Sequence, residues 1–189
     1  MLRQMLIILV FALALPANAL ARPGDIGPDW TLSTPEGNAV HLNDVLETQA
    51  TVLFFWASWC PYCKALMPHL QSMRLEYGAD VRILAIDIFE DGDPVAVIED
   101  AGYDFTLLLD GDIEAGEYGI TGTPGVIILD KDRVIRFDLR SLPRIEPAES
   151  TNVTGHRQKA AFKAPYWAAE IRKSLDTVIA EVYAPNQPN

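Results

Sequence analysis

Cysteine is scarce in this chain, which has only two among its 189 residues. Two cysteines can form one disulfide at most, so a small scaffold held together by several bridges is excluded and the fold must be stabilised by packing. Positive charge is also in short supply, with 15 Lys and Arg against 26 Asp and Glu and a net charge of −11. This deficit argues against nucleic acid or an anionic membrane surface as a partner.

Long apolar runs are missing beyond the N-terminus. The run from Met5 to Leu15 follows a single Arg3 and precedes small residues spaced as in a cleavage site, and it is too short to span a bilayer. We therefore interpret residues 1–21 as a secretory signal peptide, with an uncleaved membrane anchor as the alternative. Residues 22–189 are then one domain that works beyond the membrane and is large enough to bury a core.

Hydrophobic patterning in this domain predicts an α/β fold. The run 50–57, "ATVLFFWA", is continuously apolar and too short for a helix, as in a strand buried on both faces. A helical apolar stripe follows and ends at Gly78, with Pro68 inside it. A small hairpin precedes this unit, and the later order of strands and helices closes with a helix over 164–182. We expect a mixed sheet with helices on both faces.

Residues 141–163 do not fit this pattern, because they are polar, contain two prolines and lack periodicity. A loop of this length in a compact domain is either functional or mobile. We interpret it as a solvated insertion before the last helix, with a docking role as the alternative.

The two cysteines, Cys60 and Cys63, lie where the buried strand meets the helix. Unpaired N–H groups and the positive dipole end of the helix should stabilise a Cys60 thiolate and lower its pKa. Pro61 suits the first helical position, and Cys63 falls on the apolar stripe, where it should be less exposed. One exposed and one sheltered thiol are what thiol-disulfide exchange requires: Cys60 attacks and Cys63 resolves the mixed disulfide.

Two other roles of the cysteine pair, a structural disulfide and a metal site, are less well supported by the sequence. A structural bridge closing so small a loop would constrain the unfolded chain little. Zinc needs four ligands, and the only imidazoles, His41, His69 and His156, are not at zinc-finger spacing. A copper site with two thiolates and a histidine stays open. We expect no metal and favour redox use.

Together, "WCPYCK" after "VLFFWAS" and Pro68 five residues beyond Cys63 resemble the active site of the thioredoxin superfamily. The "GTPG" stretch resembles that superfamily's cis-proline loop, which implies a cis bond between Thr123 and Pro124 beside Cys60. Within the superfamily, residues 24–138 and the closing helix are similar to the exported TlpA/ResA-like thioredoxins, whose opening segment is shared with the peroxiredoxins.

This resemblance implies a thioredoxin fold and a monomeric, periplasmic thiol-disulfide oxidoreductase with no cofactor besides its redox-active cysteine pair. It further implies a reductase of protein disulfides, such as those of apocytochrome c, that is kept reduced by a membrane electron donor. Trp59 would shield the site, and Thr123 and Pro124 would position the substrate. The Pro61-Tyr62 dipeptide is found in glutaredoxins, whose potentials of about −200 to −230 mV lie between those of thioredoxin and DsbA, and we expect an intermediate potential.

Other functions remain as alternatives. The same pair could serve a disulfide oxidase or isomerase, and a copper-binding assembly protein would use it without turnover. A peroxidase is less favoured, because Ala57 stands where an activating Thr would precede the reactive cysteine by three residues.

The chain also departs from the family pattern. Phe54 and Leu66 occupy positions where thioredoxin and the ResA-like proteins have an Asp and a Glu, so the base for Cys63 is open. Gly125 stands after the cis proline, where many relatives have Thr, and we expect this to loosen substrate selection.

Overall fold

The computed structural model describes residues 21–148, 150 and 153–183. The predicted signal peptide lies outside these residues apart from Ala21. Among the described helices, none is long and apolar enough to cross a membrane.

Seven strands and five α-helices make up the described part of the chain. The strands are β1 (Thr31–Ser33), β2 (Ala39–His41), β3 (Ala50–Trp56), β4 (Val81–Asp87), β5 (Thr106–Leu108), β6 (Gly125–Leu129) and β7 (Ile135–Asp138). The helices are α1 (Leu42–Leu46), α2 (Pro61–Tyr77), α3 (Pro94–Ala101), α4 (Asp112–Glu117) and α5 (His156–Val178).

Five of the strands form one mixed sheet in the order β5-β4-β3-β6-β7. β3 pairs in parallel with β4 and antiparallel with β6, which places its fully buried residues at the centre of the sheet. β1 and β2 form the predicted N-terminal hairpin, which a bridge from Ser33 to Leu109 joins to the end of β5. The mixed sheet and the hairpin are as the sequence predicts.

Side-chain alternation along β3 divides the core between the two faces of the sheet. Phe54 and Trp56 belong to a cluster with residues of α2 and α5, whereas Leu53 and Phe55 pack with residues of α1 and α4 on the other face. Helices therefore cover both faces, as the continuous apolar run of β3 requires.

α5 begins at His156, eight residues before the helix that the sequence predicts, and it continues into a π-helical turn over Ile179–Tyr183. The prediction that residues 141–163 form an irregular insertion is therefore wrong from His156 onward, where the chain is helical. The side-chain carbonyl of Gln158 accepts hydrogen bonds from the amides of Thr154 and Gly155 and organises the helix start. Ala160 and Ala164 are buried, but alanines are too small to reveal an apolar stripe in the sequence.

Candidate active site

Cys60 is the N-cap of α2, in extended backbone conformation, and its Sγ accepts a hydrogen bond of 3.2 Å from the amide of Cys63. The amide of Cys60 donates to the carbonyl of Ala57 over 3.1 Å, which closes a turn between β3 and α2. Pro61 occupies the first helical turn, where a missing N–H costs nothing. The structure thus contains the strand-to-helix junction that the sequence predicts.

Both sulfurs are free thiols, and both are buried, with relative exposures of 2% for Cys60 and 0% for Cys63. The expectation that Cys60 is clearly the more exposed is therefore wrong. Thr123, from the loop before β6, interacts through its side chain with both sulfur atoms. This contact with a distant loop is one that local sequence patterning does not reveal.

The difference between the two thiols is electrostatic. A hydrogen bond from the Cys63 thiol is the main cause that lowers the pKa of Cys60 to about 6; burial opposes it, while the Thr123 hydroxyl and the amides of Cys63 and Tyr62 contribute further lowering. Burial, followed by the hydrogen bond to Cys60 and repulsion from its charge, raises the pKa of Cys63 above its ordinary value. At neutral pH Cys60 is a thiolate and Cys63 a thiol.

The Thr123–Pro124 peptide bond is cis, as the resemblance implies. Gly125 directly after it is buried at the start of β6, where a Cβ atom would lie 2.9 Å from Cγ2 of Ile120. Packing against Ile120 thus accounts for the glycine at this position.

Arg140 holds the segment that leads into this loop. Its guanidinium pairs with the buried carboxylate of Asp138 and donates to the backbone carbonyls of Tyr118 and Gly119. Because one side chain connects the end of β7 to the chain just before Ile120, it limits movement of the cis-proline loop.

Sequence analysis did not identify a clamp formed by Glu90. Its carboxylate accepts hydrogen bonds from the amide and the hydroxyl of Ser58, at 2.7 and 2.6 Å, and from the amides of Asp91 and Gly92. The next residue, Trp59, donates from its indole nitrogen to the carbonyl of Phe89 over 2.8 Å. The carboxyl ends of parallel strands lie at one edge of a sheet, so the adjacent loops after β3 and β4 could have indicated this contact.

Tyr62 lies against the start of α5. Its ring contacts His156 edge to face and lies 6.1 Å, between centroids, from the ring of Trp167. The segment interpreted as a solvated insertion therefore ends beside the cysteine pair. Trp59, in contrast, is half exposed on the side of the β4–α3 loop.

The positions that carry acids in relatives are apolar and fully buried here: Phe54 packs beneath α2, and Leu66 follows Cys63 by about one helical turn. One buried carboxylate, Asp87, stands at the end of β4 on the sheet face that holds the cysteines. Burial raises its pKa to about 6, although its Oδ1 accepts a hydrogen bond from the amide of Asp110. Among the described residues, no cluster of three or more His, Cys, Asp or Glu could hold a metal ion.

Comparison with known proteins supports the resemblance. The AhpC/TSA family profile matches residues 23–138. The chain is 27% identical to the thiol:disulfide interchange protein DsbE of Allochromatium vinosum over 163 residues, which cover 84% of this chain and 76% of that protein. It is 30% identical to the thiol-disulfide oxidoreductase ResA of Halalkalibacterium halodurans over 117 residues, covering 60% of this chain and 66% of the relative.

Solved structures show the same fold. A conserved protein from Geobacillus kaustophilus superposes with a TM-score of 0.64 at 24% identity, covering 89% of this chain and 87% of that one. The thioredoxin domain of a thiol-disulfide oxidoreductase from Bacteroides vulgatus gives a TM-score of 0.56 at 22% identity, covering 62% and 87%. With a matched profile, a thioredoxin-like fold and relatives named as thiol-disulfide oxidoreductases, the chain belongs to the AhpC/TSA family of thioredoxin-like proteins.

Proposed function

We propose that this thioredoxin-like oxidoreductase reduces disulfides of exported proteins in the periplasm, with Cys60 as nucleophile and Cys63 as resolving thiol. One observation carries the exchange chemistry: two free thiols lie side by side at the start of α2, where Sγ of Cys60, the N-cap residue, accepts a hydrogen bond of 3.2 Å from the amide of Cys63. A low pKa makes the first sulfur a nucleophile and a good leaving group, and a high pKa keeps the second protonated until it is needed.

In the first step, the Cys60 thiolate attacks one sulfur of a client disulfide. A mixed disulfide forms, the client S–S bond breaks, and the second client sulfur leaves as a thiolate that takes a proton. Thr123 and Pro124 lie beside the sulfur pair, where the backbone of residue 123 can pair with an extended client segment. Next to the cysteines, Trp59 contacts Phe89 of the loop after β4, and Tyr62 contacts Trp167 of α5.

In the second step, Cys63 loses its proton to water and attacks the Cys60 sulfur, and the client sulfur that departs takes a proton from water. The Cys60–Cys63 disulfide forms and the client leaves with its second thiol, so that two electrons have moved from the protein dithiol to the client. The cysteine pair is the only redox group that this cycle needs. An external dithiol must then reduce the new disulfide, and we propose a membrane electron donor for that role, with the protein acting as a monomer.

We propose apocytochrome c as the client class, because its cysteines must be thiols before haem is attached.

Oxidation of client dithiols to disulfides by the same pair is a second candidate. A lowered Cys60 pKa stabilises the dithiol form of this protein and makes its Cys60–Cys63 disulfide more oxidising. The equilibrium reduction potential separates the two. A reduction potential of about −200 mV or below supports a reductase, whereas a potential of about −120 mV, as in DsbA, supports an oxidase.

A trapping experiment tests the exchange mechanism. Cys63→Ser should accumulate a mixed disulfide on Cys60 in periplasmic extracts, and the trapped proteins should be identifiable by mass spectrometry. Cys60→Ser is the matched control and should trap nothing. Loss of peroxide in place of thiol exchange would support a peroxidase, and tight stoichiometric Cu(I) without any covalent partner would support a copper-binding assembly protein; either result would overturn the proposal.

A further inference from the structure

Positive charge is concentrated in one part of this acidic protein. Residues 140–163 contain five Lys and Arg against two Glu, while the whole chain has a net charge of −11. The basic side chains are Arg140, Arg144, Arg157, Lys159 and Lys163. Within this segment the start of α5 lies beside the cysteine pair, since His156 contacts Tyr62.

Residues 142–146 and Lys163 of this segment line a groove of about 350 Å³ together with Pro124. Leu139, Leu142 and Trp167 give the groove apolar surface. An ion pair of 2.6 Å between Lys163 and Glu146 fastens residues 142–146 to α5. Since Trp167 also contacts Tyr62, the groove is continuous with the surface around Cys60.

Charge in this basic groove is only partly compensated. Arg140 is occupied by Asp138 and by backbone carbonyls, so it is not available to a partner. Among the described residues, the carboxylate of Glu146 interacts with three cations: Lys163, Lys159 and Arg144. Arg144 is exposed, which leaves it free to meet an incoming negative charge.

The other side of the active site has the opposite sign. Beyond Trp59, the loop after β4 carries Glu90 and Asp91, and the amide of Phe89 binds the carboxylate of Asp112. When a client segment lies across the cis-proline loop, its acidic side chains are therefore attracted only at the end that lies in the basic groove.

We propose that the basic groove docks an extended segment of the client polypeptide, next to its disulfide cysteine, that carries acidic side chains interleaved with apolar ones. This inference rests on the proposed function and adds a client preference to it. Apolar residues of the client pack on Leu142 and Trp167, and its carboxylates meet Arg144 in the groove and Lys159, which lies outside the groove lining and acts electrostatically on Glu146. Electrostatic attraction of this kind raises the association rate and weakens with salt.

The test uses the full reduced chain and three synthetic peptides, each with one cysteine activated as a 2-thiopyridyl disulfide. The peptides share an apolar sequence and differ only in the flanking residues, which are Asp, Asn or Lys. Attack by the Cys60 thiolate forms the peptide mixed disulfide and releases 2-thiopyridone, whose absorbance reports the rate. We expect the Asp peptide to react about fivefold to tenfold faster than the Asn peptide at low salt, with the difference falling below about twofold at roughly 0.5 M salt.

Variants locate the effect in the groove. Arg144→Gln and Lys159→Gln together should remove most of the preference for the Asp peptide and leave the rate with the Asn peptide unchanged. Lys131→Gln is the matched control, because this exposed lysine lies in the turn at the other end of β6. A folding defect would lower the rates with all three peptides alike and is thereby distinguished.

Each result decides between the two proposals. Equal rates for the three peptides, a faster Lys peptide, or an unchanged preference in the double variant would overturn the docking inference and leave the exchange function standing. Failure to release 2-thiopyridone from any peptide would overturn the proposed function itself.

Discussion

The carboxylate of Glu90 accepts two hydrogen bonds from Ser58, one from its amide at 2.7 Å and one from its hydroxyl at 2.6 Å. Burial by itself disfavours a charged carboxylate, yet the hydrogen bonds from Ser58, Gly92 and Asp91 outweigh it and keep the pKa of Glu90 below its ordinary value. The loop after β4 is thereby tied to the turn that delivers Cys60. Space is tight at this contact, since a Cβ on Gly92 would lie 2.5 Å from Oγ of Ser58.

Removing the Glu90 clamp should lower the reactivity of Cys60, although Glu90 does not contact its sulfur. In Glu90→Ala the amide and hydroxyl of Ser58 lose their acceptor, so the turn before Cys60 becomes less fixed. We expect the free energy of unfolding to fall by about 1 to 3 kcal/mol and the rate of Cys60 alkylation at pH 7 to fall severalfold. Urea unfolding and iodoacetamide kinetics measure the two effects.

Glu90→Gln serves as the matched variant, because an amide keeps one oxygen acceptor, and its losses should be intermediate. Gly92→Ala should resemble Glu90→Ala for a steric reason. An alkylation rate that stays at the wild-type value in all three variants would show that the clamp does not position Cys60.

The acidity of Cys60 should depend on its partner thiol. Alkylation of the wild-type dithiol should follow a titration with a midpoint near pH 6, because Cys60 has a pKa of about 6 and Cys63 is buried and protonated. Cys63→Ala removes the main stabilising hydrogen bond and should raise the midpoint by about one pH unit or more. Cys63→Ser still has a hydroxyl donor, so its midpoint should lie between the two. Identical midpoints in all three proteins would mean that the helix N-terminus alone sets the acidity.

The same pKa shift makes the stability of the dithiol form depend on pH. Because folding lowers the Cys60 pKa from 9.0 to about 6, the folded state binds fewer protons between these values. The free energy of unfolding should rise by about 3 kcal/mol from pH 6 to pH 9, and this contribution declines as the pH falls from 9 and is gone below 6. Urea unfolding under a phosphine reductant measures it, and Cys60→Ser should remove the rise.

Asp87 should act in the opposite direction and in another pH window. Burial raises its pKa from 3.8 to about 6, so the folded state binds more protons in that interval and the free energy of unfolding falls as the pH rises through it. Asp87→Asn keeps an oxygen that can accept from the amide of Asp110 and removes the charge. We expect this variant to be more stable than wild type by about 1 to 2 kcal/mol at pH 7.5 and no more stable at pH 3.5. A variant less stable than wild type at pH 7.5 would contradict this account.

Packing between α2 and α5 should contribute strongly to stability. Ile171 of α5 is fully buried in the cluster that contains the cysteines, so Ile171→Ala should reduce the free energy of unfolding by about 2 to 5 kcal/mol. Leu75 of α2 is 67% exposed, and Leu75→Ala should change it by less than about 0.5 kcal/mol. Chemical denaturation compares the two, and equal losses would contradict the assigned faces of the helices.

Features that depend on neighbouring residues were predictable from the sequence. The apolar run of β3 and the helical stripe after it place Cys60 at a strand-to-helix junction, and α2 does end at Gly78. Chain continuity fixes the relation between the two cysteines, since residues three apart at a helix start lie on the same side. The cis bond before Pro124 followed from the family motif.

Features that depend on distant residues were not predictable in the same way. The clamp on Ser58 comes from residue 90, and the contact of Tyr62 with α5 joins residues nearly a hundred positions apart. The beginning of α5 was missed because its buried residues there are alanines, which leave no hydrophobic stripe.

The sequence by itself determined the succession of strands and helices along the chain and the junction that carries the cysteines, because these follow from patterns within one or two elements. Only the tertiary structure decided how far Cys60 is buried, which groups set its acidity and what surrounds it. Those properties arise where the loops after β3 and β4, the cis-proline loop and α5 meet. The physical reason is that desolvation and hydrogen bonding depend on spatial neighbours, which the folded chain brings together from distant parts of the sequence.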